Sequence, residues 1–307
     1  MALVRAFNSL PAMVRGMVMM LVTTLCFAGM QSMIKWLAAV GEEPMHPFEI
    51  AFFRNLMGVV AMLPMVLRGG TRTVLSTFRT SRPGLHLLRS GVQAIGMLCF
   101  FTAVTMIPLA EITSLSFSAP LFATTLAVLM MGERIRARRI TALVLGFVGV
   151  LVVLRPGFGD LSTGAILAVV SSLAWGFAMT IIKRLSRTDS SLTQTLYSGI
   201  LLALLTAIPA FFVWTTPSLE QLAWLLGIGI VGTVGHLAFA EALRSAEMSA
   251  VLPLDFLRLV WASAIGLIVF SEVPSLIAWA GGALIFTSAT YIAIREAQLA
   301  RNLGKKR

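Results

Sequence analysis

The feature that most limits what this chain can become is the recurrence of long apolar runs along almost its whole length. Ten can be drawn, at about residues 14–40, 48–67, 84–107, 109–131, 139–155, 162–183, 193–214, 219–244, 247–270 and 275–295. Most reach the roughly 20 helical residues needed to cross about 30 Å of hydrocarbon. Hydrocarbon offers no water to satisfy peptide groups, so runs of this length cross it as helices. Hydrophobic side chains make up 58% of the 307 residues and charged ones only 12%, far from soluble usage. The expected fold class is therefore an all-α membrane protein with ten transmembrane helices. The longest connection, from Arg68 to Pro83, leaves little room for a soluble domain, so any activity belongs to the bundle.

The net charge of +11 is explained by topology. With a cytoplasmic N-terminus, the inner side collects Arg68, Arg72, Arg79, Arg82 and Arg89, then Arg134, Arg136, Arg138 and Arg139, then Lys183, Arg184 and Arg187, and the tail Lys305, Lys306 and Arg307. The outer side keeps Lys35 and Arg155. That bias follows the positive-inside rule and places both termini in the cytoplasm. No basic stretch is long or interleaved with stacking aromatics, so nucleic acid is not an expected partner. The first run continues to Trp36 with no convincing cleavage site, and reads as a retained helix. Cys26 and Cys99 fall mid-span, where packing is the expected role and neither a disulfide framework nor a metal signature is indicated.

The chain also repeats itself. Gly16 to Leu37, GMVMMLVTTLCFAGMQSMIKWL, lies without gaps over Gly164 to Leu185, GAILAVVSSLAWGFAMTIIKRL, pairing Lys35 with Lys183. The third and fourth spans match the eighth and ninth, pairing Gly96 with Gly235, Phe117 with Phe256 and Glu133 with Glu272. Pro64 and Pro209 occupy similar late positions in the second and seventh. Five spans are an odd number, so the second copy enters the membrane from the opposite face. The expected organisation is an inverted repeat, residues 1–155 and 156–307, a construction used by secondary transporters.

The paired halves, FFRNLMGVVAMLP in the second span, FFTAVTMIPLAEITSLSFSAPLFATTLAVLMMGE across the third and fourth, and AFAEALRSAEMSAVLPLDFLRLVWASAIGLIVFSEVP in the second half resemble the drug/metabolite transporter superfamily, specifically its EamA-like ten-span branch. The resemblance covers nearly the whole chain. One departure is that Leu259, following Arg258, stands where a proline matching Pro120 is expected, which weakens a symmetric reading of the site.

Polar groups at bilayer depth are expensive and mark pathways, so they are the site candidates. The stretch VLPLDFLRLVWAS carries Asp255 about 12 Å and Arg258 about 16 Å along the ninth span. Three residues apart on one face, they either neutralise each other or meet a ligand. Gln31, Gln93 and His236 could bond a ligand or bridge helices. The hydroxyls of Ser114 and Ser116 precede Pro120, whose missing amide leaves the Ser116 carbonyl without its helical partner, so this stretch could face a cavity; the hydroxyls could equally bond back to their own helix. Trp175, Trp261 and Phe239 are cavity-lining candidates, with apolar packing as the alternative. Arg54 is expected to snorkel outward or pair with Glu42, Glu43 or Glu49, and Glu241 to pair with Arg244 one turn later; Lys35 reads as an interfacial anchor.

These features lead to a secondary carrier of the bacterial inner membrane, moving a small metabolite by alternating access. Resemblance to the superfamily's amino-acid exporters, including the YddG-like branch, makes amino-acid export the first expectation, with Asp255 toward an ammonium, Arg258 toward a carboxylate and Trp175 or Trp261 on the side chain. Uptake of a cofactor-like compound such as S-adenosylmethionine or riboflavin is the alternative, and a channel the rival class. The sequence holds no acid, base and nucleophile constellation, phosphate loop or metal-ligand spacing, so no enzymatic activity, cofactor or metal is expected. The expected partners are the substrate and the lipid bilayer, with monomer and homodimer both open.

Overall fold

A computed structural model describes residues 11–41, 43–67, 80–131, 137–155, 162–185, 188–189, 191–246 and 248–304. These residues are organised as ten helices. They are α1 (Ala12–Lys35, continued by a wider π turn at Trp36–Val40), α2 (Pro47–Leu67), α3 (Pro83–Met106), α4, α5 (Ala137–Leu154), α6 (Thr163–Leu185), α7 (Ser191–Phe212), α8 (Leu219–Ser245), α9 and α10 (Leu276–Gly304). Two are broken: α4 into α4a (Leu109–Ser116) and α4b (Ala119–Met131), α9 into α9a (Met248–Asp255) and α9b (Leu257–Phe270). Eight described segments are long and apolar enough to cross a bilayer, so the chain is a multi-pass membrane protein. The basic positions Arg68, Arg72, Arg79, Arg134, Arg136, Arg187 and Lys305 to Arg307 lie outside the described residues, as do Glu42 and Glu133.

Helix ends follow local chemistry. Pro47 and Pro83 open α2 and α3 at a position where no intrahelical amide bond is lost. Ser218 and Gln221 form a reciprocal cap on α8. Glu49, in the first turn of α2, accepts from the amide and hydroxyl of Thr215 at 2.7 and 3.0 Å, tying α2 to the segment between α7 and α8.

The duplication is visible in the packing. Helix α3 lies along α6 as α8 lies along α1, and α4b meets α6 as α9b meets α1. A methyl group added at Gly96 would stand 2.8 Å from Cβ of Ala174; one added at Gly235 would stand 3.0 Å from Cβ of Cys26. Gly96 aligns with Gly235, and Ala174 with Cys26, so the same close crossing is built twice. Each half thereby grips the first helix of the other, and small residues permit the backbones to approach.

The expected loss of symmetry at Leu259 does not extend to the backbone. Helices α4 and α9 are interrupted at the aligned residues Phe117 and Phe256. Pro120 stands three residues after one break and Pro253 three residues before the other. Each ring withdraws one amide from the helical ladder.

Candidate functional site

The two breaks face each other. Phe117 and Phe256 are stacked, with ring centroids 6.1 Å apart. Phe286 of α10 lies 5.2 Å from the first and 5.0 Å from the second, and Trp279 meets Phe256 edge-on at 6.0 Å. Against this group the Arg258 guanidinium carbon sits 4.7 Å from the Phe117 ring centroid. Its Nη2 is 3.6 Å from Oδ2 of Asp255, and the two side chains are 16% and 20% exposed. The cation is thus shared between a carboxylate and an aromatic face, while its buried Nε has no hydrogen-bond partner among the described residues. Asp255 and Arg258 are brought together as their spacing suggested. Trp261 joins α9b to α1 by donating to Thr24 Oγ1 at 3.3 Å. Trp175 is half-buried on α6, and no described contact draws it into this group. Of the aromatic group, the sequence reading picked out only the pairing of Phe117 with Phe256. Phe286 and Trp279 are met only when α10 folds back on the breaks.

A second polar point lies between α2 and α8. Among the described residues Arg54 pairs with neither Glu43 nor Glu49; Glu42, the third partner expected for it, lies outside them. Nη2 of Arg54 is 3.1 Å from Nε2 of His236, and its Nη1 donates to Asn55 Oδ1 at 3.1 Å. Both carboxylate oxygens of Glu49 are taken by Thr215. The His236 ring meets Phe27 of α1 edge-on at 5.0 Å. Since an arginine is always a donor, Nε2 must present its lone pair to it and His236 must be neutral, with its proton on Nδ1.

Other candidates bridge helices. Gln31 accepts from Thr113 of α4a at 3.0 Å. Gln93 accepts from Arg89 and from Ser198 of α7, both at 3.1 Å. Ser114, fully buried, donates to the carbonyls of Ala110 and Ala278, so it fastens α4a to α10 and is not a cavity wall. Ser116 bonds back to the Ile112 carbonyl at 2.7 Å. Phe239 packs in a satellite cluster with Met20, Ala242 and Val251, which is its apolar reading. Glu241 pairs with Arg244 at 2.7 Å as expected.

Lys35 corrects its sequence-based expectation. It is not an interfacial anchor but is 8% exposed. It forms an ion pair with Glu272 and donates to the Ile107 carbonyl at 2.8 Å. The second oxygen of Glu272 accepts from the Leu109 amide at 2.9 Å. These contacts knot together the ends of α1, α3, α4a and α9b at the predicted outer face, where α4a is packed on α9b and α10. The symmetry-related pairings of α4b with α9a and of α5 with α9a are not packed in this way among the described residues. Among the described residues, the contacts that close the helix ends are therefore those at the predicted outer face. A pocket of about 260 Å³ holding Glu111 and Arg155 opens beside α4a, α5 and α10, apart from the polar groups at the breaks.

At the predicted inner face, the sequence reading missed a further cluster. His86 Nε2 and Thr80 Oγ1 lie 2.7 and 2.8 Å from Oδ2 of Asp189, and His86 stacks on Tyr197. Burial pushes the Asp189 carboxyl up, but hydrogen bonds from His86 and Thr80, the His86 charge and a bond from Thr188 together hold it below its ordinary value.

The pattern of the EamA-like transporter family matches the chain twice, over residues 14–155 and 162–294. A curated S-adenosylmethionine uptake transporter from Rickettsia felis is 30% identical, the match covering 82% of this chain and 84% of that protein. A riboflavin transporter from Vibrio cholerae is 29% identical over 94% of this chain and 95% of its own. A solved crystal structure, 18% identical, shares the fold over 95% of this chain and 98% of its own with a TM-score of 0.58. Two matches to one pattern fall on the two halves whose packing is duplicated, and together they cover most of the sequence: the chain belongs to the EamA-like transporter family and is a transporter, not an enzyme.

Proposed function

We propose that the chain is a secondary carrier of the bacterial inner membrane that takes up a cofactor-like metabolite, of the kind represented by S-adenosylmethionine or riboflavin. The observation that carries this reading is the group at the facing helix breaks: four aromatic rings with Asp255 and Arg258 among them. Flat aromatic faces suit a heteroaromatic ring system. They have less to offer an aliphatic amino acid, and the names of the relatives support the same preference over amino-acid export. Helices interrupted at aligned positions in the two halves are a construction that repeat-built carriers use for substrate sites.

Alternating access follows from the duplicated scaffold. The closure held by Lys35 and Glu272 must open for the opposite state, while the other face closes in its place. Both termini lie in the cytoplasm in this reading, so the knotted face is the outer one. A thermal-shift screen of the purified protein tests the substrate class. A ligand at about 100 times its Kd stabilises the fold by about 2.7 kcal/mol. The expected result is stabilisation by S-adenosylmethionine or riboflavin; stabilisation by amino acids alone would return the reading to amino-acid export.

A further inference from the structure

Among the described residues three arginines lie well inside helices of this bundle: Arg89 of α3, one turn from His86 at the predicted inner face, donates to Gln93 and to the Gln194 carbonyl, while Arg54 and Arg258 differ in their surroundings. Arg258 has a carboxylate partner in Asp255. Arg54 has none among the described residues: its hydrogen bonds go to His236 and Asn55, both neutral. An intramembrane cation without a counterion is expensive, and a protein keeps one where something else supplies the negative charge. His236 sits about 25 Å along α8 from Leu219 and about 14 Å from Ser245, so the charge is held toward mid-depth and away from the headgroups.

The repeat does not duplicate this pair. Gly96 and Gly235 are duplicated, as are Lys35 and Lys183, and Phe117 and Phe256. His236 instead aligns with Met97, and Arg54 aligns with Gly199 when Pro64 is set on Pro209. The guanidinium lies beside Gly232 of α8, where an added methyl group would crowd the Met30 sulfur at 2.9 Å and stand in ordinary contact with Nε and Nη2 of Arg54, at 3.7 and 3.8 Å.

We propose that Arg54, positioned by His236 and Asn55, is the point at which the bundle recognises an anionic group of its substrate, a carboxylate. The positive charge free for a ligand is then at Arg54, while Arg258 is occupied by Asp255 and by the Phe117 ring. His236 is a positioning residue: its lone pair steers one arm of the guanidinium and leaves the remaining N–H groups for a bidentate acid. This inference rests on the carrier reading and narrows it, because S-adenosylmethionine bears a carboxylate and riboflavin bears none.

The test is competition for uptake into proteoliposomes by matched pairs: S-adenosylmethionine against its decarboxylated form, and methionine against methioninamide, with riboflavin alongside. In the wild type the acid of a pair should compete at least about tenfold better than its partner. Arg54→Gln should remove that preference by weakening the acid alone, and Arg54→Lys should retain part of it. His236→Gln should retain more, because Gln still offers an acceptor. The comparison on the wild type stands even if Arg54→Gln does not fold. Riboflavin uptake with no acid preference would overturn this inference and leave the cofactor-like reading intact. An acid preference confined to methionine would support Arg54 and overturn that reading. A preference unchanged in Arg54→Gln, or none in either pair, would overturn the inference.

Discussion

At the scale of single residues, the bilayer makes each charge conspicuous but does not name its partner. Asp255 and Arg258 were readable as a pair because one helix carries both, three residues apart. Arg54 and His236 are 182 residues apart, and Lys35 and Glu272 are 237 apart; no periodicity links them, so only the packed bundle joins them. Removing one member of a buried ion pair strands the other. Lys35→Met and Glu272→Gln should therefore each destabilise by about 3 kcal/mol, and the double variant by clearly less than the sum. Unfolding of the three variants in detergent checks this; strict additivity would mean that the pair is not coupled. Asp189 gives a pH test with a definite sign. Its folded carboxyl is held below the ordinary value, so its stabilisation is present above the usual carboxylate range and is lost as pH falls through that depressed value. Asp189→Asn should lower stability by about 2 kcal/mol at neutral pH, and the gap to wild type should close below roughly pH 4. A gap that widened on acidification would contradict the assignment.

Among elements, the apolar runs located the helices well, because length and hydrophobicity alone decide which segments enter hydrocarbon. The break in α4 was partly readable, since Pro120 removes an amide. The matching break in α9 was not, because its proline stands on the other side of the interruption and the aligned position holds Leu259. Helix crossings were legible where glycines mark them, at the duplicated Gly96 and Gly235 and also where Gly149 of α5 meets Gly281 of α10. Gly96→Val and Gly235→Val should each wedge a crossing open and destabilise by about 1–3 kcal/mol. Gly91→Ala on α3, which meets nothing within 4 Å, should be neutral or slightly stabilising. Thermal melts of the three variants decide this, and equal effects at Gly91 and Gly96 would refute the packing argument. Ser114 and Gln31 look alike in sequence to any pathway residue, and only the fold shows that each bonds across to another helix.

For the whole molecule, a duplicated scaffold carries polar groups that are not duplicated. Positions that repeat hold the halves together, whereas Asp255, Arg258, Arg54 and His236 aligned with Ser116, Ala119, Gly199 and Met97 in the other half have no charged equivalent. A symmetric frame can present two alternative closures, and an asymmetric ligand needs only one set of contacts. The positive-inside bias predicts that a C-terminal green fluorescent protein fusion is fluorescent and an alkaline phosphatase fusion inactive; the reverse result would invert the bundle and with it the face closed by Lys35 and Glu272. Carriage of a cofactor-like metabolite by alternating access is read out by counterflow in proteoliposomes loaded with unlabelled S-adenosylmethionine or riboflavin. A carrier should draw labelled compound inward to a transient excess over equilibrium, with saturable dependence on concentration. Flux that rises linearly and ignores the internal compound, or ohmic single-channel current, would contradict it.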